Sequence, residues 1–142
     1  MKVHKISAVT LIIKNMERSC NFYSEIPGFK LVYGGSPDDT FTTYEIGEDV
    51  QKTCLNLELS ITNNCNTDNE RKIQHFGRII FHTEDVDKLY SYFKSNIDIL
   101  TVISFENEPT DAAWGERYFH IREPDGYQLS FAKPFEKEKK NL

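Results

Sequence analysis

The side chains best equipped for chemistry in this sequence are three cysteines, four histidines and a set of aromatic residues spread over both halves. Cys20, Cys54 and Cys65 are odd in number and share no CxxC spacing, so neither a disulfide framework nor a zinc knuckle is indicated. They read as ordinary reduced thiols. Tyr33, Phe41, Tyr44, Trp114, Tyr118 and Phe119 could clasp a planar or apolar ligand, although aromatic residues at strand spacing more often form core. Trp114, beside Gly115 in a loop, is the best placed of them for the rim of a site. His120 stands between Phe119 and Ile121, and its face stays open because one bulge would invert it.

These residues depend on the stretch from Trp114 to Pro134, where two apolar runs flank the polar turn Glu123-Pro124-Asp125-Gly126. Pro124 fixes φ for the first corner, Asp125 can bond its own backbone, and Gly126 can take the positive φ that a β-carbon penalises. The pattern predicts a hairpin of strands over 116–122 and 127–133. Parity puts Tyr127, Leu129 and Phe131 on one face and Gln128, Ser130 and Ala132 on the other. One face packs, and the other is free to line a cavity.

Composition removes several classes of function. With 142 residues, 39% hydrophobic and 27% charged, the chain can bury a single core without staples. A formal charge of −5 argues against a nucleic-acid footprint, which wants a basic stripe. No apolar run approaches the roughly 20 residues of a membrane helix, and the first residues do not read as a signal peptide. A cytoplasmic protein without nucleic-acid or membrane partners is expected.

Taken in order, the chain repeats itself. A β-branched run at 7–13 precedes Asn15, a plausible N-cap for a helix over 16–25 whose Met16, Ser19, Cys20 and Tyr23 share one face. Pro27-Gly28 stops it, and strands are expected over 29–33, 41–46 and 53–61. A polar connector, 62–75, leads to the same order again: a strand over 76–83, a helix capped by Asp85 to Ser95, then strands over 100–105, 116–122 and 127–133, with a loop over 107–111. A charged tail, 134–142, follows. Ala8 to Met16 lies over Arg78 to Val86 at an offset of 70, and Leu57-Glu58-Leu59 over Leu129-Ser130-Phe131 at an offset of 72. Two βαβββ modules, about 6–61 and 76–133, are therefore expected, forming a cupped mixed sheet of α+β class with a cleft between them.

This arrangement, with Phe22-Tyr23 through Pro27-Gly28-Phe29 and Glu123-Pro124-Asp125-Gly126-Tyr127 as its half-motifs, resembles the vicinal oxygen chelate superfamily. That superfamily includes glyoxalase I, extradiol dioxygenases, methylmalonyl-CoA epimerase and the fosfomycin and bleomycin resistance proteins. The family turn usually begins with Asp, where this chain has Glu123. Metal-dependent members place His or Glu ligands on the first and last strands of each module, and the resemblance puts those positions at Ala8, Glu58, Arg78 and Ser130. Only Glu58 is a ligand of the family type. A methyl has no lone pair, a neutral hydroxyl is a poor donor, and a catalytic zinc usually takes three protein ligands. Arg78 adds repulsion: even two unit charges about 4 Å apart, at an effective dielectric near 20, interact by about 4 kcal/mol. No metal or other cofactor is expected, the alternative being a divalent ion held through Glu58. Of the histidines, His82 shares the parity of Arg78, whereas His75 has the opposite one and His4 lies about a strand's length before Ala8.

The resemblance thus implies a homodimeric protein of glyoxalase or bleomycin-resistance type that binds a small anionic or aromatic molecule in its cleft. Arg78 would occupy the vacated metal position and pair with Glu58. Asn56, Glu58, Arg78, His82, Trp114 and Ser130 are its candidate ligand-binding residues. The alternative is a lyase, isomerase or dioxygenase, in which Glu58 serves as base and Arg78 stabilises an enolate without metal, or a non-standard metal site operates. An intimate Glu58–Arg78 pair would oppose that base role by favouring the carboxylate.

Overall fold

The structure is a computed structural model and describes residues 1–61 and 73–136. It divides into two compact units, Met1–Arg71 and Lys72–Leu142. Most of the polar connector, together with Cys65 and most of the charged tail, lies outside the described residues.

The first unit runs β1 (Ala8–Ile13), α1 (Met16–Tyr23), β2 (Phe29–Tyr33), β3 (Phe41–Ile46) and β4 (Thr53–Leu59). Its sheet has the order β1-β4-β3-β2. β1 runs parallel to β4, and the other neighbours are antiparallel. Asn15 starts α1 as the sequence predicts: its Oδ1 accepts from the Arg18 N–H at 3.0 Å, satisfying one of the donors every helix start leaves over. The helix ends at Tyr23, short of the expected 25, and Gly28 then takes φ +91°. Leu11, Ile13, Leu55, Leu57, Thr42 and Tyr44 fill the face beneath α1. Thr42 accepts from the Gly35 N–H at 3.0 Å and donates to Met16 Sδ at 3.2 Å, so its hydroxyl is paired within the core.

The second unit runs β5 (Arg78–His82), α2 (Val86–Ser95), α3 (Ile97–Leu100), β6 (Ser104–Phe105), β7 (Thr110–Ala112), β8 (Glu116–Arg122) and β9 (Gln128–Pro134). Its sheet is ordered β5-β9-β8-β6, with β7 also paired to β8. Here too the first and last strands run parallel. Asp85 caps α2, its carboxylate accepting from the Lys88 N–H at 3.0 Å. The hairpin closes as expected: Glu123 and Tyr127 bond through their backbones, Gly126 N–H donates to Glu123 C=O at 2.8 Å, and Gly126 has φ +89°. Phe93 of α2 meets Phe119 and Phe131 edge to face at 5.7 and 5.2 Å, which sets the packed side of this sheet.

Two expectations fail in this unit. The strand predicted over 100–105 shrinks to Ser104–Phe105, because Asn96 accepts from the N–H groups of Asp98 and Ile99 and starts the short helix α3. Local capping there overrides a β-branched run. The loop predicted over 107–111 contributes a strand from Thr110, paired to Tyr118.

The superposition of the last strands is also corrected. Ile12 pairs with Glu58 in the first unit, and His82 pairs with Ala132 in the second. With Ile12 lying over His82 at the offset of 70, Glu58 lies over Ala132, and Asn56, not Glu58, is the counterpart of Ser130. The buried residues agree, since Leu55 and Leu57 then fall over Leu129 and Phe131. A slip of two residues keeps every side chain on its own face, so face parity alone cannot detect it.

Candidate functional site

Each sheet turns one face to its helix and leaves the other without one. In the first unit that open face presents Ala8, Thr10 and Ile12 on β1, Cys54, Asn56 and Glu58 on β4, and Phe41, Thr43 and Glu45 on β3. Its middle rung is neutral and closed. Thr43 Oγ1 donates to Asn56 Oδ1 at 2.8 Å, and Asn56 Nδ2 donates to Thr10 Oγ1 at 3.1 Å. Asn56, predicted as a ligand-binding group, is thus engaged within its own sheet. Glu58 is exposed and shares its rung with Ile12 and Phe41. It also stands four residues beyond Cys54, the register partner of Ala8, or about 13 Å along the strand. Ala8 and Glu58 therefore cannot meet at one ion within this sheet.

The open face of the second unit is charged. Arg78 is exposed and pairs in register with Gln128, and its Nε donates to Gln128 Oε1 at 2.8 Å. The Gln128 amide passes the chain on, Nε2 donating to Glu106 Oε1 at 2.8 Å. The other oxygen of Glu106 accepts from Arg122 Nε at 3.1 Å. Arg122 is tied down further through Nη1, which donates to the carbonyls of Gly126 and Gln74. Burial alone would raise the Glu106 carboxyl, but the hydrogen bonds from Gln128 and Arg122 and the Arg122 charge outweigh it and hold the group below its ordinary value. Glu106 is thereby neutralised by Arg122. Arg78, whose Nη groups have no partner among the described residues, keeps a positive charge that faces outward.

The neighbouring rung, Ile80–Ser130–His120, answers the question of His120. The register of β8 against β9 is unbroken, Phe119 and Ile121 are fully buried on the helix side, and His120 therefore lies on the open face. Its ring is 4.6 Å from that of Tyr118, which in turn is 5.6 Å from Trp114. Trp114 is 67% exposed and anchored by an indole hydrogen bond to Glu116 Oε1 at 2.9 Å. Three rings thus climb from the face to the loop. Ser130 is 1% exposed, a small residue shielded beneath this rung, while His82 is exposed on the same face beside Ala132. Tyr44 and Phe119, weighed in the sequence as ligand clasps, are fully buried core residues.

Sequence reasoning missed Glu106 and Arg122 as members of this face and left the face of His120 open. Their signal was present only in part. Arg122 and His120 share a parity within one strand, but the connection from Arg122 to Arg78 passes through Glu106 and Gln128, and Arg78 lies far away in the chain.

The donor set does not suit a metal. Arg78 is a fixed cation, Ala8 supplies no donor, and the counterpart of Ser130 is an amide already used by two threonines. Among the described residues no group of three or more His, Cys, Asp or Glu side chains is placed to hold an ion. Each unit also carries a concavity. One of about 480 Å³ in the first unit is rimmed by Lys30, Glu45, Asp49 and Lys52, and one of about 410 Å³ in the second by Asp85, Asp87, Arg117 and Lys133. Neither takes in any of the predicted site residues. No described helix is long and apolar enough to cross a membrane.

Residues 5–131 match the family model described as the Glyoxalase/Bleomycin resistance protein/Dioxygenase superfamily. No curated protein matches the sequence significantly. Among solved structures, a glyoxalase/bleomycin resistance protein/dioxygenase from Nocardioides is 18% identical, with a TM-score of 0.63 over 100% of this chain and 91% of its own. A superfamily member from Sphaerobacter thermophilus is 20% identical, with a TM-score of 0.60 over 92% and 97% of the two chains. A glyoxalase-related enzyme from Fulvimarina pelagi is 16% identical, with a TM-score of 0.65 over 92% and 88%. At these identities the likeness is one of fold.

Proposed function

The chain belongs to the glyoxalase/bleomycin resistance protein/dioxygenase superfamily, and from that premise we propose that it binds a small anionic molecule with a planar apolar part on the open face of its second unit. The observation that carries this reading is the state of Arg78. Gln128 holds its Nε, and its remaining donors have no partner among the described residues, so a carboxylate or phosphate can take two parallel hydrogen bonds from the guanidinium. Trp114 and Tyr118 supply flat apolar surface on the same face.

The ion pair expected between Arg78 and Glu58 is not needed for this. The second reading, proton transfer by Glu58, draws less support, because Glu58 shares its rung with Ile12 and Phe41 and none of the chemistry gathered around Arg78. The residues at the family's ligand positions do not fit a metal.

The test is thermal melting of the full chain against benzoate, benzenesulfonate and phosphate, paired with turnover of methylglyoxal–thiol adducts. Stabilisation by the aromatic anions, lost in Arg78→Gln, is the expected result. Removing a charge-assisted contact worth about 1.5–3 kcal/mol should weaken binding roughly ten- to hundredfold. Equal shifts in wild type and variant would refute the site, and adduct turnover that survives Arg78→Gln but not Glu58→Gln would favour the enzyme.

A further inference from the structure

We propose that His120 is a second anion-binding group of this face, joining Arg78 and taking up a proton as the ligand arrives. The inference rests on the binding reading above and adds to it a class of ligand behaviour: an anion whose affinity for the protein is linked to one proton.

The geometry begins with the sheet. β9 lies between β5 and β8, so Arg78 and His120 are two strand spacings apart, roughly 10 Å across the sheet, and one rung apart along it. The hydrogen bond from Arg78 Nε to Gln128 spans the first of those spacings. It draws the guanidinium over β9, toward the imidazole, and away from the sheet edge. His120 is itself fixed, its backbone N–H donating to Asn107 Oδ1 at 2.8 Å and its ring set against Tyr118 at 4.6 Å. An anion bridging the outward donors of Arg78 therefore comes within the same rungs as the half-buried ring.

The charges around the imidazole come from every neighbouring strand. β5 contributes Arg78 and His82, β8 contributes Glu116, Tyr118 and Arg122, and Glu106 follows β6, while Gln128 and Ser130 of β9 are neutral. Burial and then Arg78 push the imidazole below its ordinary value, Glu106 and Glu116 pull it back, and Arg122 adds to the push. The strongest charge acting on the ring is thus the one a ligand would neutralise. Binding an anion at Arg78 removes that repulsion and gives a protonated ring an acceptor, so ligand and proton favour one another, and the coupling is reciprocal. The sign follows. Affinity is constant at high pH, tightens as pH falls through the raised value of the liganded state, and levels off below the lower value of the free protein.

Benzenesulfonate is the probe, since its charge does not change between pH 5 and 8. Its affinity for the full chain is measured by calorimetry across that range in wild type, Arg78→Gln and His120→Gln, and the His120 ring resonance is titrated by NMR. The expected result is an affinity that gains up to about tenfold per pH unit, the limit for one linked proton, and a flat profile in His120→Gln. The ring's titration midpoint should move up on saturation with benzenesulfonate, and also in ligand-free Arg78→Gln. A midpoint unchanged by Arg78→Gln overturns the inference whatever the ligand does. Affinity that needs Arg78 but does not vary with pH overturns the role of His120 and leaves the anion site standing. Binding, or a lack of it, that is the same in wild type and Arg78→Gln overturns the anion site and this inference with it.

Discussion

The two units solve the same packing problem and then diverge on the side that packing does not use. On the helix side their rungs correspond: Leu55 and Leu57 of β4 stand where β9 has Leu129 and Phe131, all of them buried. On the open side, the rung Ala8–Cys54–Glu45 of the first unit is matched by Arg78–Gln128–Arg122 in the second. The adjacent rung pairs Thr10–Asn56–Thr43 with Ile80–Ser130–His120. On the last strand of each sheet the repeat therefore keeps apolar volume where a helix lies, and it leaves chemistry free to change where none does. The middle rung of the first unit closes on itself through neutral hydrogen bonds. In the second, Arg78 has no carboxylate partner among the described residues, and that is what makes this unit the candidate binding half.

Breaking the packed rung should have the largest effect, and a different one in each unit. Phe119 lies among Phe93, Phe105, Phe131 and Tyr90, so Phe119→Ala should cost about 3–5 kcal/mol in urea unfolding. The counterpart in the first unit is Thr42, and Thr42→Val keeps the volume while leaving the Gly35 N–H without its partner, for about 1–3 kcal/mol. Equal costs would mean that the two cores are held by the same forces. Trp114 is the single tryptophan, so its fluorescence reports the second unit directly.

Next in size is the neutral rung. Asn56→Ala removes two hydrogen bonds and should lower stability by about 1–2 kcal/mol without changing the affinity for benzenesulfonate. A change in affinity would show that the first unit shares the site. The caps come third and should be equal. Asn15→Ala and Asp85→Ala each remove one N-cap acceptor, at about 1 kcal/mol apiece, and a marked inequality would break the equivalence of the helices.

The smallest effect is one of pH. Glu106 is held below its ordinary 4.5 in the folded protein. Its contribution to stability is therefore present above that value and lost as pH falls through the folded one. Glu106→Gln should flatten the acid limb of the stability profile slightly, as read by urea unfolding across the acid range.

Local chemistry was the legible part of this molecule. Asn15 and Asp85 were readable as caps from their place before an apolar stripe, and Pro124-Asp125-Gly126 as a turn from the backbone freedom of glycine. The faces of β9 followed from alternation. What could not be read depends on partners distant in the chain. The offset of the last strands is 74 residues and not 72, a difference that face parity cannot show because an even slip keeps every side chain on its face, and it places Asn56 where alternation alone suggests Glu58. Asn96 was hidden because it caps a helix that begins directly after another one ends. The chain from Arg78 through Gln128 and Glu106 to Arg122 joins three separate stretches, so no single window of sequence contains it. His120 needed only the observation that β8 has no bulge.

In both sheets the first strand reaches the others only through the last. Arg78 waits 50 residues for Gln128, and Thr10 waits 46 for Asn56. During synthesis β5 therefore has no neighbour to pair with until the whole unit has been made, and closing such a long loop must precede any reward from the contact. Assembly of each half should be slow for its size, with β1 and β5 the edges most open to mispairing along the way.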